Sequence, residues 1–109
     1  MHFTADNLRD YADLSDEFHL DHYEISGFDG KVFGISDMFA NDESTAESIA
    51  KRVYETVGNV LKVSDFKRGS KKDRWIFFGT NPNNHASYDF VCDVQFHPGE
   101  AYISLSVHN

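Results

Sequence analysis

The sequence predicts a single α+β domain spanning residues 1–109: a two-layer fold in which two amphipathic helices pack on one face of an antiparallel β-sheet. Three observations carry this. Apolar residues recur at helical spacing in two segments only, one at the N-terminus and one near the middle. Every second residue is apolar in "YDFVCDVQF" and "AYISLSV", with mostly polar residues between, the mark of strands with one buried face and one wet face. Strong turn signals separate the strand-like segments. The predicted element order is αββαββββ.

The first helix lies in "TADNLRDYADLSDEF" (Thr4 to Phe18). Thr4 suits the N-cap, where its hydroxyl accepts from a free backbone N–H. Leu8, Tyr11, Ala12, Ser15 and Phe18, widened by Leu14, form the expected core face. Asp6, Asp10, Asp13 and Glu17 are spaced by four, three and four residues. They share one stripe, which the packing would turn to solvent. "HYEISGFDGKVFGIS" then predicts a hairpin, with Asp29-Gly30 as a two-residue turn. Tyr23 and Ile25 alternate on the first arm, and Val32, Phe33 and Ile35 supply the second.

The second helix follows Ser44-x-x-Glu47, which fits a capping box. Ala46, Ile49, Ala50, Val53, Tyr54 and Val57 make a continuous apolar stripe. Gly58-Asn59 marks its end in a left-handed cap. "VLKVSDF" and "DRWIFFG" flank the polar turn "KRGSKK". Trp75, Ile76, Phe77 and Phe78 suggest a central strand apolar on both faces. Tyr88, Phe90, Cys92, Val94 and Phe96 share one face of the next strand, and Ala101, Ile103, Leu105 and Val107 one face of the last. Pro98-Gly99 supplies the turn between these two. "GTNPNNHAS" (Gly79 to Ser87) is an exposed loop.

Composition bounds the function. The chain is 40% hydrophobic and 15% aromatic, with ten Phe, so it folds rather than remaining disordered. The single cysteine, Cys92, excludes an internal disulfide. No apolar run approaches the ~20 residues of a membrane span. The N-terminus lacks the basic region and apolar core of a signal peptide. A cytoplasmic protein with no membrane partner is expected. The formal charge is −8 and is unevenly spread: residues 1–48 hold twelve acids against two bases, and residues 49–109 six acids against eight bases. An acidic half repels phosphates, so direct nucleic-acid binding through it is not expected. It attracts basic partners over long range.

The candidate chemistry is correspondingly sparse. No nucleophile elbow, phosphate loop or zinc-protease motif occurs. No catalytic residue, cofactor or metal is therefore expected, and the chain is not read as an enzyme. "HLDH" (His19 to His22) offers two imidazoles and Asp21, but a structural zinc site needs about four ligands. His2, His85, His97 and His108 show no paired spacing to complete it. Cys92 falls in the apolar alternation class and reads as a core thiol. "KRGSKKDR" (Lys67 to Arg74) is the one basic cluster and reads as a solvated turn.

What remains is the acidic surface. Asp6, Asp10, Asp13, Glu17, Asp16, Asp21 and Glu24 are the candidate partner-binding residues, with Asp37, Asp42, Glu43 and Glu47 nearby. Neighbouring carboxylates on the stripe would lie about 5–6 Å apart, comparable to the spacing of phosphates along a strand. The expectation is a protein-binding inhibitor that occupies the basic groove of a nucleic-acid-handling enzyme. Its general character is that of a nucleic-acid mimic, as in phage anti-CRISPR and anti-restriction proteins. The alternatives are an immunity protein that neutralises a nuclease toxin, a small His/Asp metal-binding domain, and a structural assembly subunit. Homodimerisation is left open.

Overall fold

The computed structural model describes residues 5–19, 24–26, 30–34, 45–98 and 100–108. Within them, α1 (Ala5–Glu17) is followed by β1 (Glu24–Ser26) and β2 (Gly30–Gly34), then α2 (Ala46–Val57). Four strands complete the chain: β3 (Lys62–Arg68), β4 (Arg74–Thr80), β5 (Ser87–His97) and β6 (Glu100–His108). The sheet is antiparallel in the order β1-β2-β6-β5-β4-β3. The architecture is the expected α+β fold.

One face of the sheet carries the core. Trp75 and Phe77 of β4 pair in register with Cys92 and Phe90 of β5, which pair in turn with Leu105 and Val107 of β6. All six are buried. The Phe77 and Phe90 rings stack at 4.8 Å, an aromatic contact that adds about 0.5–1.5 kcal/mol beyond its area. Onto this face α2 lays Ile49, Ala50, Val53 and Val57, all fully buried. Tyr54 meets Phe77 edge-on at 5.1 Å. Helix α1 packs on the same face, where Tyr11 contacts Tyr88 at 5.7 Å. Both helices thus cover one side, as the alternation requires.

Local details depart from expectation in informative ways. The capping box of α2 is Thr45 with Ser48, not Ser44 with Glu47. The Ser48 N–H donates to Thr45 Oγ1 and the Thr45 N–H donates to Ser48 Oγ, both at 3.1 Å. Helix α2 does stop at Gly58, but that residue is right-handed at φ −61°. Tight turns carry the chain on to Leu61, whose N–H donates to the carbonyl of Val57. The left-handed cap is found instead at His19, with φ 57°, just past α1. Ser26 pairs with Gly30, so Gly30 belongs to β2 rather than to a two-residue turn. Residues 27–29, and the expected N-cap Thr4, lie outside the described residues. His97 pairs with Glu100, which leaves Pro98-Gly99 as the link, as expected.

Strand β4 is not buried on both faces. Ile76 is half-buried and Phe78 is 41% exposed. No described element packs on that side, so among the described residues this face of the sheet is open. At the far end of β5, Phe96 shares the core side of the sheet but lies past the helices that cover it, and it is exposed. The outer strand β3 carries a bulge between Ser64 and Lys67, with Asp65 left-handed at φ 60°. The extra residue turns Phe66 toward the helices, where it meets Tyr54 at 5.1 Å.

Gly79 is required by packing. A Cβ there would sit 2.7 Å from Phe90 Cε2 and 3.1 Å from Leu61 Cδ1. Gly79→Ala is expected to lower stability by about 1–3 kcal/mol through overpacking. Urea denaturation checks this, with the midpoint falling and the slope unchanged.

Candidate functional site

The candidate surface begins with the rotation of α1. Its buried residues are Asn7, Asp10, Tyr11, Leu14 and Ser15, with Phe18 just beyond its end. These are spaced at three and four residues and form one face. The face is turned by roughly 50° from the expected one, counting about 3.6 residues per turn. Leu8, expected in the core, is 42% exposed, and Ala12 is exposed too. Three of the six buried residues are polar, so apolar periodicity alone could not place this face.

Asp10 is the consequential correction. Its spacing assigns it to the solvent stripe, yet it is 1% exposed. Its carboxyl group accepts from Tyr88 Oη at 2.5 Å and from Asn81 Nδ2 at 2.7 Å. Asn7 Nδ2 donates to Tyr88 Oη at 2.9 Å. Every buried side-chain polar atom among the described residues has a partner, as burial demands. Burial, then the hydrogen bond to Asp10, raises the Tyr88 pKa above its usual value. The cluster clamps α1 to β5 and to the β4–β5 loop.

The other acids divide. Glu17 is half-buried and accepts from Asn59 Nδ2 at 2.8 Å, which ties the end of α1 to the turn after α2. Asp6, Asp13 and Asp16 are exposed. Asp21 lies outside the described residues, as does the side chain of Glu24, whose backbone forms the start of β1. Asp37, Asp42 and Glu43 also lie outside them, while Glu47 is exposed on the first turn of α2. Asp10 therefore drops out of the candidate partner surface. Its signal in the sequence is indirect: an Asp and an Asn three apart on a helix whose face also carries Tyr11 and Leu14.

Lys67, Arg68, Lys71 and Lys72 are exposed around the β3–β4 turn. Arg74 instead forms a bidentate pair with Asp93, at 2.7 Å and 2.9 Å. Among the described residues no group of three or more His, Cys, Asp and Glu could hold a metal. Of the "HLDH" motif only His19 is described, and it is exposed. No described helix is long and apolar enough to cross a membrane. The chain matches no protein-family model, no curated protein and no solved structure.

Tyr88→Phe leaves Asn7 and Asp10 each short of a partner and should cost about 1–3 kcal/mol. Asp13→Asn, on the exposed side of the same helix, should change stability by less than about 0.5 kcal/mol. Thermal melts of the two variants test the contrast. Cys92 is fully buried, and burial, then the nearby Asp93, pushes its thiol up to about 12. A folded pKa above the unfolded one, about 8.5, contributes stability that is complete below about pH 8.5. That stability is lost as pH rises toward the folded value. Unfolding free energy should therefore fall above about pH 8.5, by at most about 1.4 kcal/mol per pH unit from this group. Cys92→Ala should flatten the decline between about pH 8.5 and 10, measured by urea titration at each pH.

Proposed function

We propose that this protein is a small acidic inhibitor that docks the outer side of α1 on the basic, nucleic-acid-binding surface of a partner protein. The observation that supports the reading is the state of Asp6, Asp13 and Asp16. All three are exposed on one helix, and none is in an ion pair among the described residues. The helix that bears them is held from behind by Asp10, Tyr11, Leu14 and Phe18. The carboxylates are thus presented on a fixed support, which limits the ordering cost of binding.

With Asp10 buried, the charges no longer form an even ladder. Asp6 and Asp13 lie about 10 Å apart along the axis, and Asp13 and Asp16 about 5 Å, at about 1.5 Å per residue. Recognition would rest on the summed field of the acidic half rather than on matching successive phosphates. Such a field speeds encounter with a basic groove and weakens with salt. Inhibition by occupation of that groove is the mode proposed, as in anti-CRISPR, anti-restriction or immunity proteins.

The test is capture from a nuclease-treated host extract on immobilised protein. Partners should be released by added duplex DNA or RNA, and by raising salt above about 0.2 M, where the screening length falls below about 8 Å. Asp6→Asn/Asp13→Asn/Asp16→Asn should weaken capture at least about tenfold at low salt. Retention of every partner by this variant, with an unchanged salt dependence, would sink the proposal.

A further inference from the structure

The open face of the sheet has a character opposite to that of α1. Phe78 on β4 is 41% exposed and Tyr102 on β6 is 44% exposed, both on the side away from the helices. Ile76 and Val91, half-buried and paired with each other, lie on the same side in a row between them. Phe78 pairs with Asp89, and Tyr102 with Gln95, across the strands. Those two positions on β5 are about 20 Å apart at the rise of a strand. Each aromatic lines a groove. One, of about 350 Å³, runs past Ser64, Phe78, Thr80 and Asp89. The other, of about 340 Å³, is lined by Lys71, Lys72, Arg74, Gln95, Tyr102 and Ser104, among others. The His97 ring sits edge-on to Tyr102 at 4.5 Å.

Cations frame this face. Lys62 and Lys67 lie on it, in register with Thr80 and Ile76. Lys71 and Lys72 rim the groove beside Tyr102. All four lysines are exposed. Among the acids lining the two grooves, Asp93 is paired by Arg74, which leaves Asp89 beside Phe78. The exposed acids of α1 lie beyond the sheet and across a helix about 10 Å thick. That exceeds the screening length of about 8 Å at physiological salt. The exposed acids of α1 therefore contribute little to what this face attracts.

We propose that the open face binds single-stranded nucleic acid. Phe78 and Tyr102 supply stacking platforms for bases, and Lys62, Lys67, Lys71 and Lys72 contact the backbone phosphates. The occupant is chosen by the combination of features: cations alone fit any polyanion, but exposed rings set in grooves between cations fit unstacked bases. A duplex keeps its bases stacked and cannot use the rings. This surface lies on the other side of the sheet from the proposed inhibitor surface, so either can fail without the other.

Fluorescence anisotropy of labelled oligouridylate and oligothymidylate, about 12 nucleotides long, tests the proposal. Binding is expected at about 50 mM salt with a Kd of about 1–100 μM, and log K should fall with log salt at a slope near −3, or about −0.7 for each of four contacts. Lys67→Ala/Lys71→Ala/Lys72→Ala should reduce the magnitude of that slope by about 2. Phe78→Ala should weaken binding about tenfold with the slope unchanged, and Phe78→Trp should restore it. Asp13→Asn on α1 should change affinity by less than about twofold. Both aromatic variants are at an exposed position, and circular dichroism confirms that they fold. The proposal is overturned by an absence of binding at low salt, by equal affinity for a duplex of the same length, or by displacement of the oligonucleotide by polyglutamate at equal charge.

Discussion

The contact between Asp10 and Tyr88 governs the orientation of the whole N-terminal layer. A helix with a single apolar stripe can roll on a sheet by tens of degrees at little cost. A short hydrogen bond from a buried phenol to a buried carboxyl group does not allow that. With Asn81 on the second oxygen and Asn7 on the phenol, every buried polar atom among the described residues is satisfied in the rotation α1 adopts. That rotation decides which acids are hidden and which are presented. The surface chemistry of the helix is therefore fixed from below, by buried residues.

The same arrangement explains how a helix with so many like charges persists. Asp10 leaves the stripe and Glu17 is bound by Asn59, so the evenly repelling row expected from spacing is not present. Repulsion of a few tenths of a kcal/mol per pair is small beside the burial of Tyr11, Leu14 and Phe18, each worth about 1.5–3 kcal/mol. The charge left over is a property of the surface, free to act on other molecules. The sheet separates it from the lysines on the opposite face, and a small chain so carries two fields of different sign.

The fold is legible in the sequence where the buried positions are apolar. Every position of the α2 stripe is, and α2 packs as periodicity predicts. Strands β5 and β6 alternate cleanly, and both register and facing follow. Periodicity misplaces α1 because Asn7, Asp10 and Ser15 share its buried face, and Tyr88 and Asn81, which hold the first two, lie more than 70 residues away. Spacing within a helix carries no information about such partners. The capping box of α2 shifts by one residue because adjacent hydroxyls, Ser44 and Thr45, both suit the position. Strand β4 looks buried on both faces because a run of four apolar residues does not reveal which side the helices cover. Of the acids on the expected stripe, Asp6 and Asp13 are exposed as their spacing suggests, and Asp16 beside it is exposed too.

The separation of α1 from its anchors also has a consequence for synthesis. An isolated helix of this length is marginal in water, and the partners of its buried polar side chains, Tyr88 and Asn81, lie on β5 and in the loop before it. The buried polar face of α1 is therefore satisfied only once β5 and the loop before it are in place. Asn7 waits for Tyr88, 81 residues later, while the hairpins of β3 to β6 join close neighbours in the chain and close early. A nascent or C-terminally truncated chain would carry the acids of α1 on an unanchored segment. Completion of the sheet is the step that converts a charged segment into a shaped surface.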